Sequence, residues 1–173
     1  MANESNADNP IQEDYGRKVS KILSDYMIYL LVMQPTIMSA VAGIGQIRFW
    51  GTCVKAEKFF NRLGLNRNDV AIGCEEILKV EIEVKPVDVK GDRSKFVLFD
   101  ACRLAKELNQ DELKKDKWKI ISKVLVEMLS YAATHCRAAT HAQEVSKGGQ
   151  LISSVWLLMA YFGLDDWFQI NEG

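Results

Sequence analysis

The two histidines of the chain, His135 and His141, stand close together, with Cys136 between them and Glu127 upstream. Imidazole, thiolate and carboxylate are the groups that bind zinc and that serve acid–base and nucleophilic catalysis. Spacing decides whether they can act together. On one continuous helix, Glu127 and His135 lie about 12 Å apart along the axis and about 80° apart around it. His135 and His141 lie about 9 Å apart along it and about 120° apart around it. Neither is the i, i+4 pair that sets two ligands on one face. The helix alone supplies one ligand at most, so no metal site and no catalytic residue is expected from it. His135 is expected on the buried seam, and His141 at the surface beside Glu144. Cys136 is expected to be a packed thiol, because reactive cysteines favour helix N-termini or cationic surroundings.

A weaker signal is Lys147-Gly148-Gly149, which opens the last helix. Free N–H groups at a helix start, with a lysine near, can hold a phosphate. The full P-loop pattern is absent, and a tight turn between two helices accounts for the glycines equally well. Gly43-Ile44-Gly45 follows no predicted strand, so the dinucleotide-binding context is missing. Neither H-E-x-x-H nor G-x-S-x-G occurs. Candidate binding residues are therefore confined to His135, Arg137, His141, Lys147, Gly148 and Gly149. No cofactor and no small-molecule ligand is inferred.

These residues sit in a chain that reads as mainly α, a helical bundle-like single domain over residues 13–173. Residues 1–12 read as a disordered tail. A helix beginning near Asp14 carries Val19, Ile22, Leu23, Met27, Leu30 and Leu31 at helical spacing. Pro35 interrupts it. A helix over residues 49–63 follows, with Phe49, Cys53, Ala56, Phe59, Phe60 and Leu63 on its apolar face and Gly64 as its cap. Residues 78–85 alternate strictly, Leu78-Lys79-Val80-Glu81-Ile82-Glu83-Val84-Lys85, and predict one short extended segment near 78–89. Asp92 caps a helix carrying Val97, Ala101, Leu104 and Leu108. One long helix then follows. Its heptad rows are Trp118, Leu125, Ala132, Ala139 and Ile121, Met128, His135, Ala142. Gly148-Gly149 ends it, and the apolar helix from Leu151 to Phe162 closes the fold, with Gly163 as its cap.

Residues 26–47 carry no charge. As one helix they would rise about 33 Å, close to a bilayer core. Pro35, Gln34, Ser39 and two glycines stand against spanning, so a pair of buried or membrane-facing helices joined at Pro35 is expected, with membrane association through 26–47 as the alternative.

Composition narrows the function classes. Lys and Arg number 22 against 23 Asp and Glu, a formal net charge of −1 over 173 residues. So balanced a chain lacks the large basic surface that nucleic-acid binding uses, and no nucleic-acid partner is expected. Cys53, Cys74, Cys102 and Cys136 form no C-x-x-C unit and read as free, mostly buried thiols of a reducing compartment. The polar stretch from Met1 to Asn9 has no apolar h-region, which reads against secretion.

Several blocks occur together in one order: Val97-Leu98-Phe99-Asp100-Ala101-Cys102, Val126-Glu127-Met128-Leu129-Ser130-Tyr131-Ala132-Ala133, His135-Cys136-Arg137, His141-Ala142-Gln143, Ser146-Lys147-Gly148-Gly149 and Val155-Trp156-Leu157-Leu158-Met159-Ala160. Together they resemble the plant family known as domain of unknown function 594. Tyr29-Leu30-Leu31-Val32, Pro35 and Ile44-Gly45-Gln46-Ile47-Arg48-Phe49 fit it too, so the resemblance covers residues 20–173. Leu125 stands where a tryptophan is common in that family, and Tyr161 where a histidine is common. The resemblance implies the C-terminal region of a multi-pass plant membrane protein, on the cytosolic side, or a solitary cytoplasmic copy. It carries no catalytic residue, because no activity is established for the family. The expectation is a non-enzymatic interaction or regulatory domain, whose partner is a protein or the membrane region of a family member. The alternatives are an enzyme or metal protein using His135, Cys136 and His141, and a domain anchored through residues 26–47.

Overall fold

A computed structural model describes residues 10–66, 68–79, 97–111 and 113–164. It is mainly helical, and no strand occurs among the described residues. The helices are α1 (Pro10–Met33), α2 (Pro35–Ala42), α3 (Gly45–Arg62), α4 (Val70–Lys79), α5 (Val97–Leu108), α6 (Lys117–His135), α7 (Ala138–Ser146) and α8 (Leu151–Tyr161). They gather into two compact units, one holding α1, α2, α6, α7 and α8, the other α3, α4 and α5.

In the first unit, α1 begins at Pro10, ahead of the start expected near Asp14. The expected tail thus gives residues 10–12 to the helix, and its remainder lies outside the described residues. Ion pairs one turn apart, Asp14–Lys18 at 2.7 Å and Lys21–Asp25 at 2.8 Å, lie along the solvent side. Lys18 beside Asp14 holds that carboxyl below its usual range, chiefly through the hydrogen bond between them. The helix stops where the sequence predicts. Gln34 leaves helical geometry, and Pro35 takes the first position of α2, where its missing N–H costs nothing.

The core of this unit forms where α1 and α2 meet α6 and α8. Leu30, Ile37, Met38, Leu129, Ala132, Ala133, Cys136 and Ile152 are buried together. Leu30, Ile37 and Met38 lie within the segment 26–47, which is divided between α1, α2 and α3 and spends those side chains on protein packing. No helix among the described residues is long and apolar enough to cross a membrane.

The long helix expected after Trp118 is two helices. α6 stops at His135, and Arg137 is extended, with φ −66° and ψ 134°, before α7 begins at Ala138. No glycine or proline marks this break, and the alanine-rich periodicity runs straight through it. Within α6 the predicted seam is displaced as well. Leu129, Ala132 and Ala133 are buried, while Met128 and Ala139 are exposed. After α7 the chain reverses at Gly148 and Gly149, whose φ values of 111° and 83° are open to glycine at little cost.

In the second unit, α3 starts four residues before the expected helix, and Gly64 caps it with φ 68°. Leu65 N–H donates to the Phe60 carbonyl at 3.1 Å, closing the turn. The sequence reading placed no helix at α4. Leu78 and Lys79, the first two residues of the expected strand, are helical and end α4. Lys79 pairs with Glu76 at 2.6 Å, one helical turn back, a local contact that two residues of alternation do not outweigh. The rest of the expected extended segment, 80–89, lies outside the described residues.

Candidate functional site

The first unit closes around polar groups that the sequence did not bring together. His141 of α7 is 1% exposed. Its Nε2 lies 2.9 Å from the Ala133 carbonyl oxygen of α6, and its Nδ1 lies 3.1 Å from Ser153 Oγ of α8. A carbonyl oxygen only accepts, so this network assigns the proton to Nε2, and Nδ1 accepts from the serine hydroxyl. The Trp156 indole stacks on the imidazole, with ring centroids 4.7 Å apart and planes 7° from parallel. A serine hydrogen-bonded to a histidine is the geometry of a nucleophile and its base. Here both are buried, so no substrate can reach Ser153 Oγ. The pair clasps α6, α7 and α8 together.

The expected placement of the histidines is therefore reversed. His141, read as a surface residue, is buried, because the break at Arg137 turns α7 back onto α8. His135, read as a seam residue, is half-buried. Its ring stacks on Tyr131 at 3.9 Å, and its Nδ1 donates to the Tyr131 carbonyl at 2.9 Å. The two histidines have different neighbours. Cys136 packs between α6 and α2, and its thiol donates to the Ile37 carbonyl at 2.9 Å. Burial pushes that thiol up to about 11. Among the described residues, no group of three His, Cys, Asp or Glu side chains is placed to hold a metal ion.

The remaining sequence candidates are held in turns. Arg137 is exposed at the start of α7 and makes no side-chain cap. Gly148 N–H donates to the Val145 carbonyl at 3.2 Å, and Gly149 N–H to the Glu144 carbonyl at 2.8 Å. Lys147 Nζ pairs with the buried Glu144 carboxylate at 3.0 Å. The groups that an anion would need at this corner thus have partners within it. Tyr26 of α1 caps the start of α8. Its hydroxyl accepts from Ile152 N–H at 3.0 Å, and burial raises the phenol above its usual range.

What the first unit offers to a ligand is an open groove of about 430 Å³. Met27 of α1, Met38 and Val41 of α2, and Met128, Tyr131 and Ala132 of α6 form its walls, and Glu127 stands among them with its carboxylate. Thioethers are flexible and polarisable, so such a wall adapts to the shape laid against it. The sequence puts Met128 on a heptad row and Met27 on the apolar spacing of a helix expected to be buried or membrane-facing. Methionines at helical spacing look the same whether they fill a core or line a groove.

The second unit has a hollow of about 460 Å³ between α3 and α4, lined by Glu57, Phe60, Asn61, Leu65, Asn66, Asp69, Val70, Gly73 and Cys74. The Asp69 carboxylate already accepts from Asn66 N–H at 2.8 Å and shapes the turn before α4.

Residues 110–164 match a family model described as a protein of unknown function, DUF594. No curated protein and no solved structure matches the chain. The matched segment takes in α6, α7 and α8, with the His141–Ser153 clasp and one wall of the groove. The family's description names no activity, so it lends no residue a role. Residues 110–164 carry a domain of the DUF594 family.

Proposed function

We propose that the chain is a non-enzymatic interaction or regulatory module, and that an apolar segment of a protein partner docks in the groove between α1, α2 and α6. The groove carries this reading: apart from Glu127 its walls are mostly apolar, three lining residues are methionines, and Met27 and Met128 reach its open side. Adaptable, methionine-rich surfaces suit partners that insert hydrophobic side chains. Glu127 at the wall favours a partner with a basic residue beside its apolar anchors. The reactive side chains support the same reading from the other side, since His141, Ser153 and Cys136 are used in packing. The resemblance of the sequence to plant membrane proteins makes the membrane region of a family member the first partner to try, on its cytosolic side.

Site-specific photo-cross-linking in plant cells tests this. A cross-linking phenylalanine analogue in place of Met128 is expected to give discrete adducts, and the same analogue in place of the exposed Ser154 is expected to give none of them. A folded Val41→Lys variant is expected to lose the adducts formed from position 128. Identical adducts from both positions, or their survival in that variant, would overturn the reading.

A further inference from the structure

α3 carries a second apolar face that the predicted buried face does not include. Ile47, Trp50 and Val54 are 72%, 58% and 49% exposed. On a helix they fall within an arc of about 60°. Phe49, Ala56 and Phe59, which are half-buried, lie on the opposite side. The arc next to the exposed stripe, about 80° wide, is a basic row of Arg48, Lys55, Lys58 and Arg62. Arg48, Lys58 and Arg62 are exposed and form no ion pair among the described residues. The acidic residue of α3, Glu57, lies on the other flank of the stripe.

We infer that α3 lies on an anionic lipid surface, with Ile47, Trp50 and Val54 in the acyl boundary and the basic row at the phosphates. Three features select this occupant. A short apolar stripe with a tryptophan, flanked by cations on one side, is the pattern of a helix lying in the interfacial plane. The stripe extends only about 10 Å along the axis, from Ile47 to Val54. Three partly covered side chains present far less than the about 800 Å² per partner that a stable protein interface needs. A second copy laid on the same face would bring two basic rows together, and like charges oppose that. A lipid surface needs neither large area nor an acidic partner helix, and anionic headgroups attract each nearby cation. This contact uses a different helix from the groove and holds whether or not the groove has a protein partner.

The test is co-sedimentation of the purified full chain with large unilamellar vesicles. One set is phosphatidylcholine alone, and the other contains a minority of phosphatidylserine. Binding is expected to the anionic set, to weaken as salt rises, and to exceed binding to the neutral set by at least about tenfold. Arg48→Gln, Lys58→Gln and Arg62→Gln are each expected to lower the partition about fivefold. Ile47→Ser with Trp50→Ser is expected to abolish it while the helical circular dichroism stays unchanged. Equal binding to both vesicle sets, binding to neither, or full binding by the folded double variant would overturn the inference. So would a dimer in solution that the double variant converts to a monomer, which would make a second copy the occupant. Vesicle binding needs no protein partner, so its outcome is separable from the cross-linking result.

Discussion

In the first unit Leu30, Ala133 and Ile152 lose all contact with solvent, whereas in the second the 18 residues of α3 include none that is buried. Both units are helical and both are rich in apolar side chains. They differ in whether the described residues build a buried cluster. Both leave large apolar side chains in water, but the first unit also builds a buried cluster from α1, α2, α6 and α8 and gives its polar groups partners: His141 has Ser153 and the Ala133 carbonyl, the half-buried Tyr26 has the start of α8, and Glu144 has Lys147. Among the described residues of the second unit, Gly73 and Cys102 are buried, and α3 holds Ile47, Trp50 and Val54 out to solvent. Burial of apolar area is the main stabilising term in folding. An exposed apolar face contributes nothing to it and is free to serve in recognition. Helical content alone would not separate the two units, but the buried cluster of the first does.

Truncating the same side chain in each unit gives the largest contrast. Ile152→Ala removes a fully buried isoleucine, and the cavity it leaves is expected to cost about 2–5 kcal/mol. Ile47→Ala removes a side chain that mostly faces water, and its effect is expected within about 0.5 kcal/mol. Urea midpoints of the two variants against the parent chain measure both. Equal losses would break the comparison, because they would mean that the α3 stripe is covered in the free protein.

A glycine in the second unit sharpens it. A Cβ built on Gly73 of α4 would meet Phe60 Cε1 of α3 at 3.0 Å. Gly73→Ala is therefore expected to push the Phe60 ring aside. Overpacking costs about 1–3 kcal/mol, and about 1 kcal/mol returns because alanine favours the helix. A net loss of about 1 kcal/mol is expected, and it should vanish when Phe60→Leu is made in the same chain. If Gly73→Ala alone stabilises the protein, α3 and α4 pack less closely than this contact requires.

How much of this was legible in the sequence follows from the range of each cause. Pro35, Gly64 and the pair Gly148-Gly149 act on the backbone within a residue or two, and the breaks fall where they stand. The mainly helical class follows from apolar spacing, which is also local. The break at Arg137 was not legible, because α7 is turned by contacts with α8 and no residue at the break demands it. With that break hidden, the helix geometry assigned His141, which lies beyond it, to the wrong surroundings. The clasp joins His141 to Ser153, residues with no shared helical face, so spacing could not signal it. The α3 stripe was legible in part. Ile47, Trp50 and Val54 stand at helical spacing, but Phe49, Phe59 and Phe60 gave a competing face, and one helix was read as having one apolar side.

Thiols give the smallest effect at neutral pH and the most direct link between burial and chemistry. Cys53 and Cys74 of the second unit are exposed, while Cys136 of the first is buried with its S–H donating to the Ile37 carbonyl. Burial raises Cys136 from 9.0 to about 11, so the folded state keeps that proton where the unfolded chain releases it. Below about pH 9 both states hold the proton, and the thiol's contribution to stability is complete. As pH rises from about 9 to about 11 the unfolded chain alone ionises, and that contribution is lost. The Tyr26 phenol is raised in the same direction, and so is the Cys102 thiol, so the parent chain by itself cannot assign the loss. Cys136→Ala keeps both of those groups and removes the one in question. The difference in urea midpoint between parent and variant is therefore expected to shrink between pH 8 and pH 10.5. A constant difference would mean that Cys136 ionises equally in both states, and the first unit would then be open at α2. Thiol labelling reads the same point without denaturant: at pH 8, Cys53 and Cys74 should react at once, and Cys136 only as fast as the first unit unfolds.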